Sequence, residues 1–107
     1  MSISQDALIR RVNNFVVTRL SAEREIDRIR IFGSRARGDS DSRSDFDFAV
    51  EAPGMEPRHW LRLTAEIIDN APTLCGIDLL RVTDTTPEAL RRKIDEEGVT
   101  IFERKAA

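Results

Sequence analysis

The sequence predicts an α/β (α+β) protein in which helices pack on a small mixed β-sheet. Its 107 residues match the common size of one domain, so we expect a single domain over residues 1–107. Hydrophobic residues make up 40% of the chain and charged residues 34%, which is typical of soluble globular proteins. Helical and strand patterns alternate without a regular strand–helix–strand repeat, and this favours a mixed sheet over a fully parallel one.

The first half of the chain is predicted to form one helix and two strands. Residues 4–20 have the helical period, with an apolar stripe at Leu8, Val12, Phe15 and Val16. A strand is predicted at 28–32, where arginine and isoleucine alternate. A turn bearing glycine and serine, 33–44, leads to a second strand at 45–50, in which aspartate and phenylalanine alternate.

The second half is predicted to add two helices and two strands. A long helix is marked by the apolar spacing of Trp60, Leu63, Thr64, Ile67 and Ile68. It should end at 70–72, before the strand at 77–82. Thr86 is predicted to cap a further helix that ends at Gly98 and is followed by a short strand at 99–102.

Composition excludes several classes of protein. The first residues carry no apolar stretch of the secretory type, and no apolar run approaches the roughly 20 residues that span a bilayer. The single cysteine, Cys75, rules out an internal disulfide framework and fits a reducing compartment. We therefore expect a cytoplasmic protein without membrane segments.

Charge narrows the expected partners. The 17 basic and 19 acidic residues give a net charge of −2, which argues against a non-specific grip on nucleic acid. All but two of the basic residues are arginine, whose planar guanidinium suits bidentate contacts with phosphate. Small phosphorylated ligands are favoured over long nucleic acids.

Two familiar motifs fail in the turn after the first strand. Gly33 and Gly38 have the spacing of a P-loop, but Asp39 stands where the phosphate-binding lysine is needed. The acidic start of a calcium loop is also present, yet Ser44 replaces its glycine and Val50 its bidentate glutamate. Neither a P-loop nor an EF-hand is predicted.

A pair of aspartates on the second strand points to a metal site. Asp45 and Asp47 are two residues apart, so their side chains share one face, with Cα atoms about 6.6 Å apart. This spacing suits carboxylates that share divalent cations, while Phe46 and Phe48 face the core. Taken alone, such a pair is equally consistent with solvated acids on an edge strand.

The turn at Gly33–Ser34 adds the features of a phosphate site. It follows a strand and should open a short helical turn, whose free backbone N–H groups and serine hydroxyl can hold phosphate. A phosphate site beside a two-carboxylate metal site suits attack on the α-phosphate of a nucleoside triphosphate. This combination makes the metal interpretation of the aspartate pair the favoured one.

These residues resemble a known signature. Gly33–Ser34 with Gly38, followed by Ser44–Asp47 on a strand, is similar to the signature of the DNA-polymerase-β-like nucleotidyltransferase superfamily. The segment Gly-Ser-Arg-Ala-Arg-Gly-Asp and the chain length are similar to those of the minimal nucleotidyltransferases (MNT or MntA-like). Those proteins are paired with HEPN-type or related helical-bundle proteins in prokaryotic toxin–antitoxin systems. Asp78 matches the third carboxylate of the family, on a neighbouring strand.

The resemblance implies transfer of a nucleoside monophosphate, above all AMP from ATP, to a hydroxyl with release of pyrophosphate. Asp45 and Asp47 would hold two Mg²⁺ ions, one of them also bound by Asp78, and the metal would activate the acceptor hydroxyl. Nucleotide binding would fall to Gly33, Ser34, Arg35, Arg37 and Ser44. Among these, one of the two arginines would offset charge on the leaving pyrophosphate.

The resemblance also implies an acceptor. It would be a tyrosine of a cognate HEPN-type toxin, which makes the chain an AMPylating antitoxin; the chain has no tyrosine of its own to modify. Two alternatives stay open: an antitoxin that neutralises a helical partner by contact alone, and a nucleotidyltransferase for a small hydroxylated molecule. A homo- or hetero-oligomer would supply the missing wall of the site, and nucleic acid is not expected as acceptor.

Several residues have a plain structural interpretation. Asp78 fits a polar alternation or a cap as well as a ligand, and Arg35 and Arg37 fit surface charge as well as nucleotide contact. His59 is expected to be structural or exposed rather than catalytic, and Trp60 to lie in the core.

Overall fold

The computed structural model describes residues 4–105. Four helices and four strands follow one another along the chain: α1 (Gln5–Ser21), β1 (Arg28–Phe32), α2 (Ser34–Arg37), β2 (Phe46–Glu51), α3 (Pro57–Asn70), β3 (Ile77–Arg81), α4 (Glu88–Glu97) and β4 (Val99–Glu103). Within these residues, no helix is both long and apolar enough to cross a membrane.

The four strands form one mixed sheet in the order β3-β2-β1-β4. The inner strand β1 is antiparallel to both β2 and β4, whereas the other inner strand, β2, is parallel to β3. The parallel pair is connected by α3, as a crossover between parallel strands requires. The predicted mixed sheet with packed helices is confirmed.

The larger core lies between the sheet and the helices α1 and α3. Phe46 and Phe48 are fully buried there, and their rings lie 6.5 Å apart, which confirms that they face inward. The same cluster contains apolar side chains of both helices: Val12, Val16, Leu20, Leu63 and Ile67. The period-two and period-3.6 patterns of the sequence therefore meet in one core.

The opposite face of the sheet is covered by α4. Here a smaller cluster of Phe32, Ala49 and Ile94 is buried. Because side chains alternate along a strand, Asp47 lies on the same face as Ala49. The aspartate that the sequence singles out is therefore on the α4 face, away from the larger core.

Several element boundaries differ from prediction. Thr86 does not cap α4: Pro87 is the N-cap residue, and the Thr86 hydroxyl instead accepts a hydrogen bond from the Thr83 amide at 2.9 Å. The hydroxyl closes the preceding turn, so the helix begins one residue later. The strand predicted from residue 45 begins at Phe46.

Candidate active site

The site lies at the end of the sheet where β1 ends and β2 and β3 begin. Gly33 follows β1 with a φ of 76° and precedes the one-turn helix α2. A Cβ at Gly33 would lie 2.4 Å from Asp47 Oδ2. The left-handed backbone and the close carboxylate both require glycine here, so the turn after β1 and the Asp47 carboxylate are in contact.

Asp45 is held by a second glycine. The Gly76 amide donates a hydrogen bond to Asp45 Oδ1 at 3.2 Å, and a Cβ at Gly76 would lie 2.7 Å from the same oxygen. The Asp45 carboxylate therefore packs against the backbone at the start of β3 and is oriented by it.

Asp47 and Asp78 are partners in register on the parallel strands β2 and β3. Burial, then the charge of Asp78 and a hydrogen bond with it, raise the pKa of Asp47 above its ordinary value; the Lys93 ammonium opposes this and Asp45 adds to it. Asp47 and Asp78 thus lie on neighbouring strands beside Gly33, with Asp45 near enough to act on Asp47, and both Asp45 and Asp78 are exposed. A set of hard oxygen donors with mutual repulsion fits a divalent cation such as Mg²⁺.

The first turn of α2 leaves hydrogen-bond donors unpaired next to Gly33. The N–H groups of Ala36 and Arg37 donate to the Gly33 carbonyl, as the first bonds of the helix. The Ser34 and Arg35 amides and the Ser34 hydroxyl donate no hydrogen bond within residues 4–105. Such unpaired donors are the groups that bind phosphate at helix starts.

Arg35 faces into the protein. It is only 3% exposed; its Nε and Nη2 donate to the Ser44 carbonyl at 3.2 and 2.9 Å, and its guanidinium lies 4.3 Å from the Phe46 ring centroid. The Ser44 hydroxyl accepts from the Asp41 amide at 2.9 Å. In this structure both residues hold the loop that delivers Asp45, and their contact with nucleotide stays a prediction.

Arg37 is exposed and lies next to the site. Its Nη1 donates to Glu97 Oε1 at 3.0 Å and its Nε to Asp39 Oδ2 at 3.1 Å. The hydrogen bond with Asp39 and the charges of Asp39 and Glu97 raise the Arg37 pKa. The guanidinium is therefore held at the mouth of the Gly33 turn.

Sequence reasoning missed what α4 contributes. Lys93 acts on the pKa of Asp47, and Glu97 Oε1 accepts from the Gly33 amide at 3.2 Å. These two residues are four apart and so share one face of the helix. The four-residue spacing is visible in the sequence, but it does not show which face of α4 packs against the sheet.

A second group of metal-type ligands lies elsewhere. Glu23, Glu25 and His59 place ligand atoms within 4.8 Å of one another, with the His59 ring nitrogens 3.3 and 3.5 Å from the two carboxylates. Glu23 and Glu25 precede β1, at the opposite end of the strand from Gly33. These contacts fit a structural role for His59, and this nitrogen-containing set is not the one expected to hold Mg²⁺.

A surface cavity of about 300 Å³ adjoins Asp45. Its lining includes Arg43, the exposed Leu74 and the half-buried Cys75. The site is therefore open to solvent and to other molecules on this side.

Comparison with known proteins agrees with this geometry. Residues 15–107 match the family model described as polymerase beta, nucleotidyltransferase. None of the curated proteins compared with the chain matches it significantly.

Solved structures share the fold. A chain in a crystal structure of a toxin–antitoxin with AMP-PNP is 19% identical, with a TM-score of 0.70, over 87% of this chain and 74% of that one. A chain in the complex of tri-AMPylated Shewanella oneidensis HEPN toxin with MNT antitoxin is 17% identical, with a TM-score of 0.66, over 90% and 73%. A candidate nucleotidyltransferase from Sulfolobus solfataricus is 20% identical, with a TM-score of 0.60, over 94% and 84%. The three carboxylates, the Gly33–Ser34 turn and the family match lead to one conclusion: the chain belongs to the polymerase beta nucleotidyltransferase family.

Proposed function

We propose that the protein is a Mg²⁺-dependent minimal nucleotidyltransferase that transfers AMP from ATP to a hydroxyl of a helical-bundle protein of HEPN type, and so acts as an antitoxin. The observation that carries this proposal is the in-register pair Asp47 and Asp78 beside Gly33, with Asp45 two residues before Asp47. The unpaired amides of Ser34 and Arg35 lie in the adjoining turn. Family membership supports nucleotidyl transfer as the reaction.

The chain's residues divide the work of this reaction. Asp45, Asp47 and Asp78 would hold the metal, which when bound lowers the pKa of the acceptor hydroxyl and neutralises the triphosphate. Gly33, Ser34 and the first amides of α2 would bind the β- and γ-phosphates. The acceptor oxygen would form its bond to the α-phosphorus as the bond to pyrophosphate breaks, and the proton of the hydroxyl would pass to solvent, which reaches the exposed Asp45 and Asp78.

The nature of the acceptor is supported by two observations. Asp45 and Asp78 are exposed, so a second molecule can reach the reacting groups and complete the wall of the site. The solved structures of similar fold include an antitoxin with an AMPylated HEPN toxin and a toxin–antitoxin with AMP-PNP. A protein acceptor and an adenine nucleotide are therefore the first choices to test.

A second candidate is an antitoxin that acts by contact alone. The outer face of α3 exposes Leu61 and Ile68, with 66% and 51% of their surfaces accessible. Exposed apolar side chains on one helix face favour a protein–protein contact, which would neutralise a partner without chemistry.

Transfer of label separates these functions. The purified chain is incubated with each α-labelled nucleoside triphosphate and Mg²⁺, with and without the protein encoded by the adjacent gene. Three forms are compared: wild type, Asp45→Asn/Asp47→Asn, and the control Asp69→Asn/Asp84→Asn, which changes two exposed acids outside the site. Label from ATP on the neighbour, lost only in the Asp45/Asp47 variant, supports the proposal.

Other results point elsewhere. A labelled small product from the chain alone would indicate a small hydroxylated acceptor. No label with tight binding of the two proteins would favour neutralisation by contact.

A further inference from the structure

The Glu97 side chain binds at the Gly33 turn, which the proposed function assigns to phosphate. Its Oε1 accepts hydrogen bonds from the Gly33 amide at 3.2 Å and from Arg37 Nη1 at 3.0 Å. The side chain is only 23% exposed. One anionic oxygen held by a backbone amide and a guanidinium is the arrangement by which proteins bind a phosphate oxygen.

The contact conflicts with binding of a triphosphate at the same turn. Glu97 Oε1 uses the Gly33 N–H, so a phosphate oxygen cannot take that donor while the carboxylate is there. The Glu97 charge also lies beside Gly33, which itself packs against the Asp47 carboxylate. Phosphate brought to this place would meet an additional like charge at short range.

The local structure allows Glu97 to leave. It is the last residue of α4, and the helix is closed behind it by the bond from the Gly98 amide to the Ile94 carbonyl. A change of side-chain rotamer therefore moves the carboxylate without unwinding the helix. Arg37 keeps its bond to Asp39 and would remain at the turn, with its Nη1 free to bind phosphate.

We propose that the Glu97 carboxylate is a built-in stand-in for a phosphate oxygen, which the triphosphate must displace from Gly33 and Arg37 in order to bind. Glu97 thus sets the affinity of the site for phosphorylated ligands. This inference depends on the proposed function, because it assigns the Gly33 turn to phosphate. It differs from a role for Glu97 in positioning Arg37, which predicts the opposite effect on binding.

Binding measurements on variants test the inference. Glu97→Gln keeps an oxygen acceptor and removes the charge, Glu97→Ala removes both, and Glu96→Gln changes the exposed neighbour as a control. Titration calorimetry with Mg²⁺–pyrophosphate and with Mg²⁺ and a non-hydrolysable ATP analogue reports affinity without transfer. We expect Kd to fall on the order of tenfold in both Glu97 variants, from loss of a charge-assisted competitor, and to be unchanged in Glu96→Gln.

A measurement on the wild-type chain avoids dependence on variant folding. In NMR spectra, pyrophosphate should shift the Gly33 amide and the Glu97 side-chain carboxyl carbon together as the contact opens. A Glu97 signal that does not move while Gly33 shifts would overturn the displacement.

The outcomes also separate this inference from the proposed function. Measurable nucleotide binding that is equal or weaker in the Glu97 variants refutes the role of Glu97 and leaves the proposed function standing. Absence of nucleotide and pyrophosphate binding in every folded form refutes both.

Discussion

The two faces of the sheet differ in what covers them. The face under α1 and α3 carries a continuous apolar cluster with Phe46 and Phe48 fully buried. The face under α4 has a small cluster of Phe32, Ala49 and Ile94, and the carboxylate of Asp47 lies on this face. Strand β2 contributes to both faces. Phe46 and Phe48 point into the larger core, whereas Asp47 and Ala49 point to the α4 face. The larger core under α1 and α3 stabilises the fold enough to tolerate destabilising charged groups on the α4 face.

The largest expected loss of stability comes from truncating a side chain in the larger core. Phe48→Ala should lower the free energy of unfolding by about 5 kcal/mol, because the cavity is enclosed by sheet and two helices. The matched change Phe32→Ala, on the α4 face, should cost nearer to 3 kcal/mol because one short helix can settle into the space. Urea unfolding measures both; equal losses would contradict the difference between the faces.

The next effect concerns the turn that joins the site to β1. Gly33→Ala should destabilise the fold by about 2–3 kcal/mol, from left-handed backbone strain and the clash with Asp47 Oδ2, and should reduce nucleotidyl transfer because Asp47 must move. Gly38→Ala has a similar φ of 88° but nothing within 4 Å of the added Cβ, so about 1 kcal/mol is expected. Urea unfolding and transfer rates of the two variants separate clash from strain.

A smaller effect has the opposite sign. The raised pKa of Asp47 means that the folded chain binds its proton more tightly than the unfolded chain, so the charged carboxylate destabilises the fold at neutral pH. Asp47→Asn, with chelator present, should therefore raise the free energy of unfolding at pH 7, by an amount that solvent screening of the half-buried carboxylate keeps small. The gain should shrink as the pH falls through the raised pKa and vanish below the ordinary value of 3.8.

The response of Tm to Mg²⁺ and a control variant test whether the charge of Asp47 causes this effect. Added Mg²⁺ should raise the Tm of wild type at pH 7 and leave that of Asp47→Asn nearly unchanged, since ligand binding to the native state stabilises it. Asp84→Asn, on an exposed loop, should not gain stability and should respond to Mg²⁺ as wild type does. A gain that persists unchanged at low pH would rule out charge as its cause.

The smallest effect is expected at the surface between α1 and α3. Arg19 and Glu66 form an ion pair there, with 41% and 53% of their side chains exposed. Glu66→Gln should change the free energy of unfolding by no more than about 0.5 kcal/mol, because solvent screens the pair. Urea unfolding at low and high salt checks this, and a loss of 2 kcal/mol would show that the helix contact depends on the pair.

Local patterns predicted the elements and the partition of β2 between core and site. Alternation alone placed Phe46 and Phe48 in the core and Asp47 on the other face, since a strand allows no other arrangement. Arg35 shows the limit of such reasoning. Its charge favours a ligand or surface role in the sequence, whereas the Ser44 carbonyl and the Phe46 ring, brought together only by the folded loop, account for its burial.

Contacts between distant segments were the least predictable. Glu97 is 64 residues from Gly33 along the chain, and helical spacing does not show which side of α4 meets the sheet. Thr86 was misassigned because its hydroxyl has a local alternative in the Thr83 amide. The pairing of Asp78 with Asp47 was indicated by family resemblance, since spacing alone does not determine the order of strands.

The in-register pairing of Asp47 with Asp78 also constrains how the sequence can change in length. The separation of the two carboxylates is set by the spacing of neighbouring strands, about 4.8 Å, and not by the loop that leads to β3. The loop at residues 71–74 can therefore become longer or shorter during evolution while the two carboxylates stay together. A single residue inserted between Gly76 and Asp78 would instead turn the Asp78 side chain to the opposite face, and the site would be lost.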